Sequence, residues 1–172
     1  MNSPVIYTHH FVCQGTGTDD RHPLVAFDRA LRAAGVADMN LSRVTSILPP
    51  GSKLVTPAVF KVVTFAERGR ILHCAYGAES AFNNGAATMV VTAGVGVGVP
   101  NADQYTRNGV IVEAHHAHLP ELVQYNGGGS WVVPDVESML AKIKFEVGDM
   151  LRQCMADRGF DLDQWVPATA VA

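Results

Sequence analysis

The stretch Asn40-Leu41-Ser42-Arg43-Val44-Thr45-Ser46-Ile47-Leu48-Pro49-Pro50-Gly51 constrains this chain more than any other. A hydroxyl pair, Thr45-Ser46, ends an apolar segment and runs directly into Pro-Pro-Gly. Proline fixes its own φ near about −65° and pushes the preceding residue, here Leu48, into an extended conformation. The backbone around Ser46 is therefore held in one shape. A serine held in this way can turn its hydroxyl on the carbonyl of the residue before it, Thr45. The expectation is a chain that cuts itself between Thr45 and Ser46, into pieces 1–45 and 46–172. The competing reading of the same residues is a turn-capping hydroxyl pair.

A length of 172 residues predicts one domain, 1–172, with room for a real core. Hydrophobic residues make up 48% and charged residues 17%, which argues against disorder. So few charges over so much apolar surface also predict that part of the surface is covered by further copies of the chain. The net charge of −3 lacks the basic footprint of a nucleic-acid binder. Cys13, Cys74 and Cys154 are odd in number and far apart, the pattern of buried thiols in a reducing compartment. No basic region followed by an apolar run opens the chain, and no apolar run is long enough to span a bilayer. The cytoplasm is the expected setting, with no membrane contact.

The pattern predicts several strands, consecutive in the middle of the chain, plus two good helices. Val5 to Cys13 reads as a strand, and Gln14 to His22 as a polar loop. Pro23 opens an amphipathic helix through Ala34, with Gly35 as its stop. Asn40 to Ile47 reads as a short strand or connector. Leu54 to Thr64 and Arg70 to Tyr76 read as strands joined in a hairpin at Glu67-Arg68-Gly69. Ala86 to Val99 and Val110 to Ala114 read as further strands, and Gly127-Gly128-Gly129 as a break. The longest helix starts at Pro134-Asp135, with Asp135 as N-cap, and ends near Arg158. Its apolar positions, among them Ile143, Val147, Met150, Leu151 and Cys154, follow a helical period. The fold class is α+β, with helices covering an antiparallel sheet.

Several segments, in order, resemble the pyruvoyl-dependent arginine decarboxylases. They are Pro23-Leu24-x-Ala26-Phe27-Asp28-x-Ala30-Leu31-x-x-Ala34-Gly35, Asn40-Leu41-x-x-Val44-Thr45-Ser46-Ile47-Leu48-Pro49-Pro50 and Ala75-Tyr76-Gly77. Further on come Val97-Gly98-Val99-Pro100, Gly109-Val110-Ile111-Val112-Glu113 and Arg158-Gly159-Phe160-Asp161-Leu162-Asp163. The resemblance implies a four-layer αββα sandwich, self-cleaved into two chains and assembled as a trimer or dimer of trimers with pockets between subunits. It implies that Ser46 becomes a covalent pyruvoyl group after cleavage at Thr45-Ser46, and that Asn40 assists the cut. It makes Glu113 the acid that protonates the product carbon, Asp28 a carboxylate in the substrate pocket, and Ile47 a neighbour of the cofactor. The implied reaction is L-arginine to agmatine plus CO2 through a Schiff base, with the cofactor as electron sink.

The chemistry suits these residue types. A side-chain amide such as Asn40 can stabilise the oxyanion formed when Ser46 attacks. Glu113 follows Val110-Ile111-Val112, where burial would keep its proton near neutral pH. Asp28 can pair a guanidinium bidentately. Each residue also has an ordinary reading. Glu113 could be a solvated strand end, and Asp28 an ion pair with Arg32 four residues on.

His115, His116 and His118 invite a metal reading, with His116 and His118 sharing a strand face. No cysteine or third-ligand motif accompanies them, so no metal is expected. Gly94-x-Gly96-x-Gly98 lacks the dinucleotide spacing and reads as a strand face that lets a helix pack close. The tail after Asp163 is short, so a final strand is expected to be missing or replaced. The segment Ala114 to Val133 is unlike the usual connector. These departures keep two alternatives open: a decarboxylase of another amino acid, and a non-catalytic oligomeric relative that retains the fold.

Overall fold

The computed structural model describes residues 8–59, 68–81, 90–100, 107–118, 121–125, 128–132 and 135–171. Its elements run β1 (His9–His10), α1 (Pro23–Ala34), β2 (Asn40–Arg43), β3 (Ile47–Leu48), β4 (Lys53–Leu54), β5 (Ile71–Cys74), β6 (Val90–Pro100), β7 (Gly109–His118), β8 (Glu121–Tyr125), β9 (Gly128–Val132), α2 (Val136–Asp157), a 3-10 turn (Leu162–Gln164) and β10 (Trp165–Val171). The class is α+β, as the residue pattern predicts.

The two helices end where the punctuation residues put them. Pro23 starts α1, and Gly35 closes it in the left-handed region at φ 81°. Asp135 caps α2, its carboxylate accepting from the Ser138 backbone N–H at 2.9 Å. That bond satisfies one of the orphan donors of the first turn.

The core lies between α2 and one face of a four-stranded antiparallel sheet in the order β10-β6-β7-β3. Ile143, Val147, Leu151 and Met155 recur every four residues along α2, and all are fully buried. They meet Val110, Val112 and Ala114, every second residue of β7. Each such burial is worth about 1.5–3 kcal/mol of transfer free energy. The glycines of β6 make this contact possible. A Cβ on Gly96 would lie 2.6 Å from Val147 Cγ1, and one on Gly94 3.1 Å from Val147 Cγ2. The glycine face is therefore a seat for α2.

The structure corrects several expectations. The hairpin expected between Leu54–Thr64 and Arg70–Tyr76 is not seen among the described residues. β5 instead pairs in parallel with β2, Asn40 opposite Ile71 and Arg43 opposite Cys74. Of Leu54 to Thr64, Leu54 ends β4, residues 57–59 are helical and 60–64 lie outside the described residues. Only His9–His10 of the first expected strand is seen as strand, parallel to β4; residues 5–7 are outside the described set. The expected break at Gly127–Gly129 is in part a strand. Gly128 and Gly129 belong to β9, which pairs antiparallel with β8, while Gly127 is not described. The final strand is present: β10 pairs with β6 from Trp165 opposite Pro100 to Val171 opposite Gly94. No helix among the described residues is long and apolar enough to cross a membrane.

Candidate active site

The Thr45-Ser46 dipeptide carries the chain from one sheet to another. Upstream, Val44 N–H still donates to the Cys74 carbonyl at 3.0 Å, extending the β2–β5 pairing. Downstream, Ile47 lies opposite Val110 in the β3–β7 pairing. Two residues therefore cross between sheets that are fixed on either side. The crossing is a tight three-residue turn, in which Ile47 N–H donates to the Thr45 carbonyl at 2.8 Å. Ser46 is its central residue, and its φ is not positive, which makes it an inverse γ-turn. The Ser46 carbonyl is itself held by Ile111 N–H of β7 at 2.8 Å. Both peptide groups flanking Ser46 are thus pinned. Thr45, Ser46 and Ile47 are exposed on this single chain.

Glu113 stands two residues beyond Ile111 on β7, on the same face of the strand. Its side chain is 24% exposed. Oε1 accepts a hydrogen bond from Arg43 Nη2. Oε2 is buried and has no hydrogen-bond partner among the described residues. The expected environment, a carboxyl among apolar neighbours, is thus replaced by an ion pair on one oxygen and a buried position without a partner among the described residues on the other. Arg43 closes β2, and its guanidinium carbon lies 5.3 Å from the centre of the Tyr76 ring. The Glu113 carboxylate pushes the arginine's proton affinity up. Cys74, beside this pair, has its thiol pushed up by burial.

The remaining candidates have other partners. Asn40 begins β2, and its side-chain amide donates to the Gly69 carbonyl. Asp28 lies on an exposed face of α1, 3.3 Å from Arg32 one turn on; this is the ordinary ion-pair reading of that residue. The structure therefore sets Thr45, Ser46 and Ile47 against β7, the strand that carries Glu113, and adds Arg43, which the sequence reading did not single out. Its signal was faint: a cation two residues before the hydroxyl pair, with a partner 70 residues away.

The histidines divide between the two faces of β7. His115 Nδ1 lies 2.9 Å from Glu79 Oε2, and a hydrogen bond from His115 holds the Glu79 carboxyl below its usual range. His116 Nε2 lies 2.7 Å from Glu146 Oε2 of α2. His118 Nε2 lies 3.3 Å from Thr92 Oγ1. The rings of His116 and His118 are 5.8 Å apart. Among the described residues no group of three or more His, Cys, Asp or Glu side chains is arranged to hold a metal ion.

A serine whose flanking peptide groups are both fixed, with a buried and unshared carboxylate oxygen on the strand beside it, fits a ketone formed in place and a proton supplied next to it. Comparison with known proteins bears on the family of the chain. The family model for pyruvoyl-dependent arginine decarboxylase matches residues 9–170. A pyruvoyl-dependent arginine decarboxylase of Methanococcus vannielii is 36% identical over 87 residues, 50% of this chain and 46% of that protein. One of Methanococcus maripaludis is 29% identical over 151 residues, 87% of this chain and 72% of that protein. Pyruvoyl-dependent arginine decarboxylase 2 of Methanosarcina acetivorans is 32% identical over 114 residues, 66% of this chain and 57% of that protein. The chain thus spans about half the length of the first and third of these relatives. With the family matched over nearly its whole length, this chain belongs to the pyruvoyl-dependent arginine decarboxylases.

Proposed function

We propose that this chain is a self-processing, pyruvoyl-dependent decarboxylase of L-arginine that releases agmatine and CO2. The observation that carries the reading is the pinned Thr45-Ser46 crossing beside the free Oε2 of Glu113. In the self-cutting step Ser46 Oγ adds to the Thr45 carbonyl, and the amide becomes an ester. Loss of the Ser46 α-proton then expels the Thr45 carboxylate and leaves a dehydroalanine. Addition of water and loss of ammonia convert it to the ketone. The Thr45 carbonyl already accepts the Ile47 N–H at 2.8 Å. That donor is placed to carry charge on the oxyanion, a role worth about 10²–10³ in rate for one donor in an enzyme site. In the reading from family resemblance, Asn40 adds a second donor, after leaving the Gly69 carbonyl that it holds here.

The ketone supplies the electron sink for breaking the bond to the departing carboxylate. The chain's own residues do the rest. Glu113 delivers the proton to the carbon that loses CO2, a contribution of about 10²–10⁴ for a well-placed acid. Ile47, 40% exposed beside Ser46, forms an apolar wall. Asp28 receives the substrate guanidinium by exchanging its Arg32 partner for the ligand. Phe27, Leu24, Val44, Ile47 and Ile71 are all exposed apolar residues on this single chain. They support an assembly in which neighbouring copies cover these side chains; in this reading the chain is a four-layer αββα sandwich assembled as a trimer or dimer of trimers, with pockets between subunits. The cytoplasm is the proposed setting.

Release of CO2 from a panel of amino acids tests the reading. L-Arginine is expected to exceed lysine, ornithine, histidine and aspartate in kcat/KM. Equal or faster release from another amino acid would move the substrate assignment. Release from none would favour the non-catalytic alternative.

A further inference from the structure

Arg43 has no role in the reaction as set out above, yet its position is unusually well fixed. Its backbone lies opposite Cys74 in the β2–β5 pairing, and the next residue, Val44, bonds to the Cys74 carbonyl at 3.0 Å. Its guanidinium lies 5.3 Å from the Tyr76 ring centre and donates to Oε1 of Glu113, but not to Oε2. A pair with its arginine 58% exposed contributes little to stability. A pair built for stability would engage both oxygens, because a buried carboxylate oxygen without a partner is costly. Arginine is donor-only and keeps its proton. The Glu113 oxygen it holds therefore cannot be the one that carries the acid proton.

We propose that Arg43 is a positioning residue that divides the Glu113 carboxylate, holding Oε1 in place and leaving Oε2 as the oxygen that takes up and delivers the proton. This rests on the decarboxylase reading above. Among the described residues, the ionisable groups around Glu113 are Arg43 of β2, Cys74 of β5, Tyr76 just after it, and His115 along β7. His115 is engaged with Glu79, so Arg43 is the cation in direct contact with the carboxylate.

A misaimed acid has a chemical signature. Protonation on the carbon of the former ketone, rather than on the substrate carbon, leaves the substrate nitrogen on the protein after hydrolysis. Ser46 then ends as an N-terminal alanine, and the substrate departs as CO2 and an aldehyde. The water lost on condensation returns in the hydrolysis, so no external oxidant or reductant is needed.

The test compares wild type, R43Q and R43K as full chains. In R43Q, kcat is expected to fall about 10–100-fold, the cost of a catalytic group displaced by about 1 Å. KM should stay within about threefold, since the loss is confined to the transition state. During turnover the larger fragment should become readable by Edman chemistry as alanine, faster than in wild type. R43K keeps the charge but not the fork, and should recover part of kcat and return the larger fragment toward a blocked N-terminus. R43Q with wild-type kcat and a blocked N-terminus would overturn the assignment. So would an R43Q that stays uncut beside an R43K that cuts and works with nothing shifted. A wild-type chain that neither cuts nor releases CO2 instead removes the decarboxylase reading, and this role with it.

Discussion

Replacing Gly96 with alanine tests whether the glycine face of β6 is what seats α2. The added Cβ would lie 2.6 Å from Val147 Cγ1, and 3.3 Å from Leu151 Cδ2 and from Val112 Cγ2. Favourable carbon contacts lie at about 3.5–4.0 Å, so the first of these is short by about 1 Å. Val147 and Leu151 are fully buried, and valine in a helix has one strongly preferred rotamer. The strain must therefore push α2 off the sheet or force Val147 off its rotamer, an overpacking cost of about 1–3 kcal/mol. Alanine returns about 0.4–1 kcal/mol by restricting the unfolded chain. The net loss is about 1–2 kcal/mol, a fall in Tm of about 2–8 °C for a chain of this size. V147A opens a cavity on its own, but in G96A/V147A the new methyl enters that space. The double variant should be less destabilised than the sum of the singles by about 1 kcal/mol or more. Urea unfolding at one fixed protein concentration reads all four corners of the cycle. A neutral G96A, or strictly additive singles, would refute the packing argument.

Two further perturbations follow from side chains with defined partners. His10 is partly buried, its Nδ1 2.9 Å from the buried Ser52 Oγ and its Nε2 without a partner among the described residues. Burial first, and then His9, push its pKa below 6.5. The native state then holds His10 neutral at a pH where the unfolded chain protonates it, so stability falls as pH drops through 6.5 and levels off below the folded value. H10Q should lose this part of the slope in urea midpoints measured across that window, and an unchanged slope would refute the assignment. For Asp28, D28N is expected to raise KM for arginine at least about tenfold, because the charge-assisted fork is lost, with little change in kcat. Unchanged arginine affinity would remove Asp28 from the pocket.

The parts of the fold that could be read from sequence are those set by local chemistry. Pro23 and Gly35 bound α1, Asp135 caps α2, and of the apolar positions read along α2, Ile143, Val147 and Leu151 are fully buried, while Met155, which the reading did not name, joins them and Val136 is exposed. Partner choice was not local. β5 follows a turn that reads as a hairpin, yet pairs in parallel with β2, which lies about thirty residues earlier; strands this short carry no signal for a distant partner. β10 was hidden because its identity comes from the long antiparallel register with β6, not from its length. At the site, the rigid Pro-Pro-Gly pointed to Ser46 and the apolar run pointed to Glu113. Arg43 escaped because its meaning lies in a contact with Glu113 that only the fold creates. For Glu113 the sequence suggested an apolar pocket, whereas one oxygen is ion-paired and the other is buried without a partner among the described residues.

The most direct measurement is the intact mass of the folded, assembled protein under denaturing conditions, with S46A as control. The account requires two species, 1–45 and 46–172, the larger one blocked at its N-terminus and reactive toward hydrazine, and a single uncut chain for S46A. A wild-type sample that stays one 172-residue chain with an ordinary Thr45–Ser46 amide would contradict it.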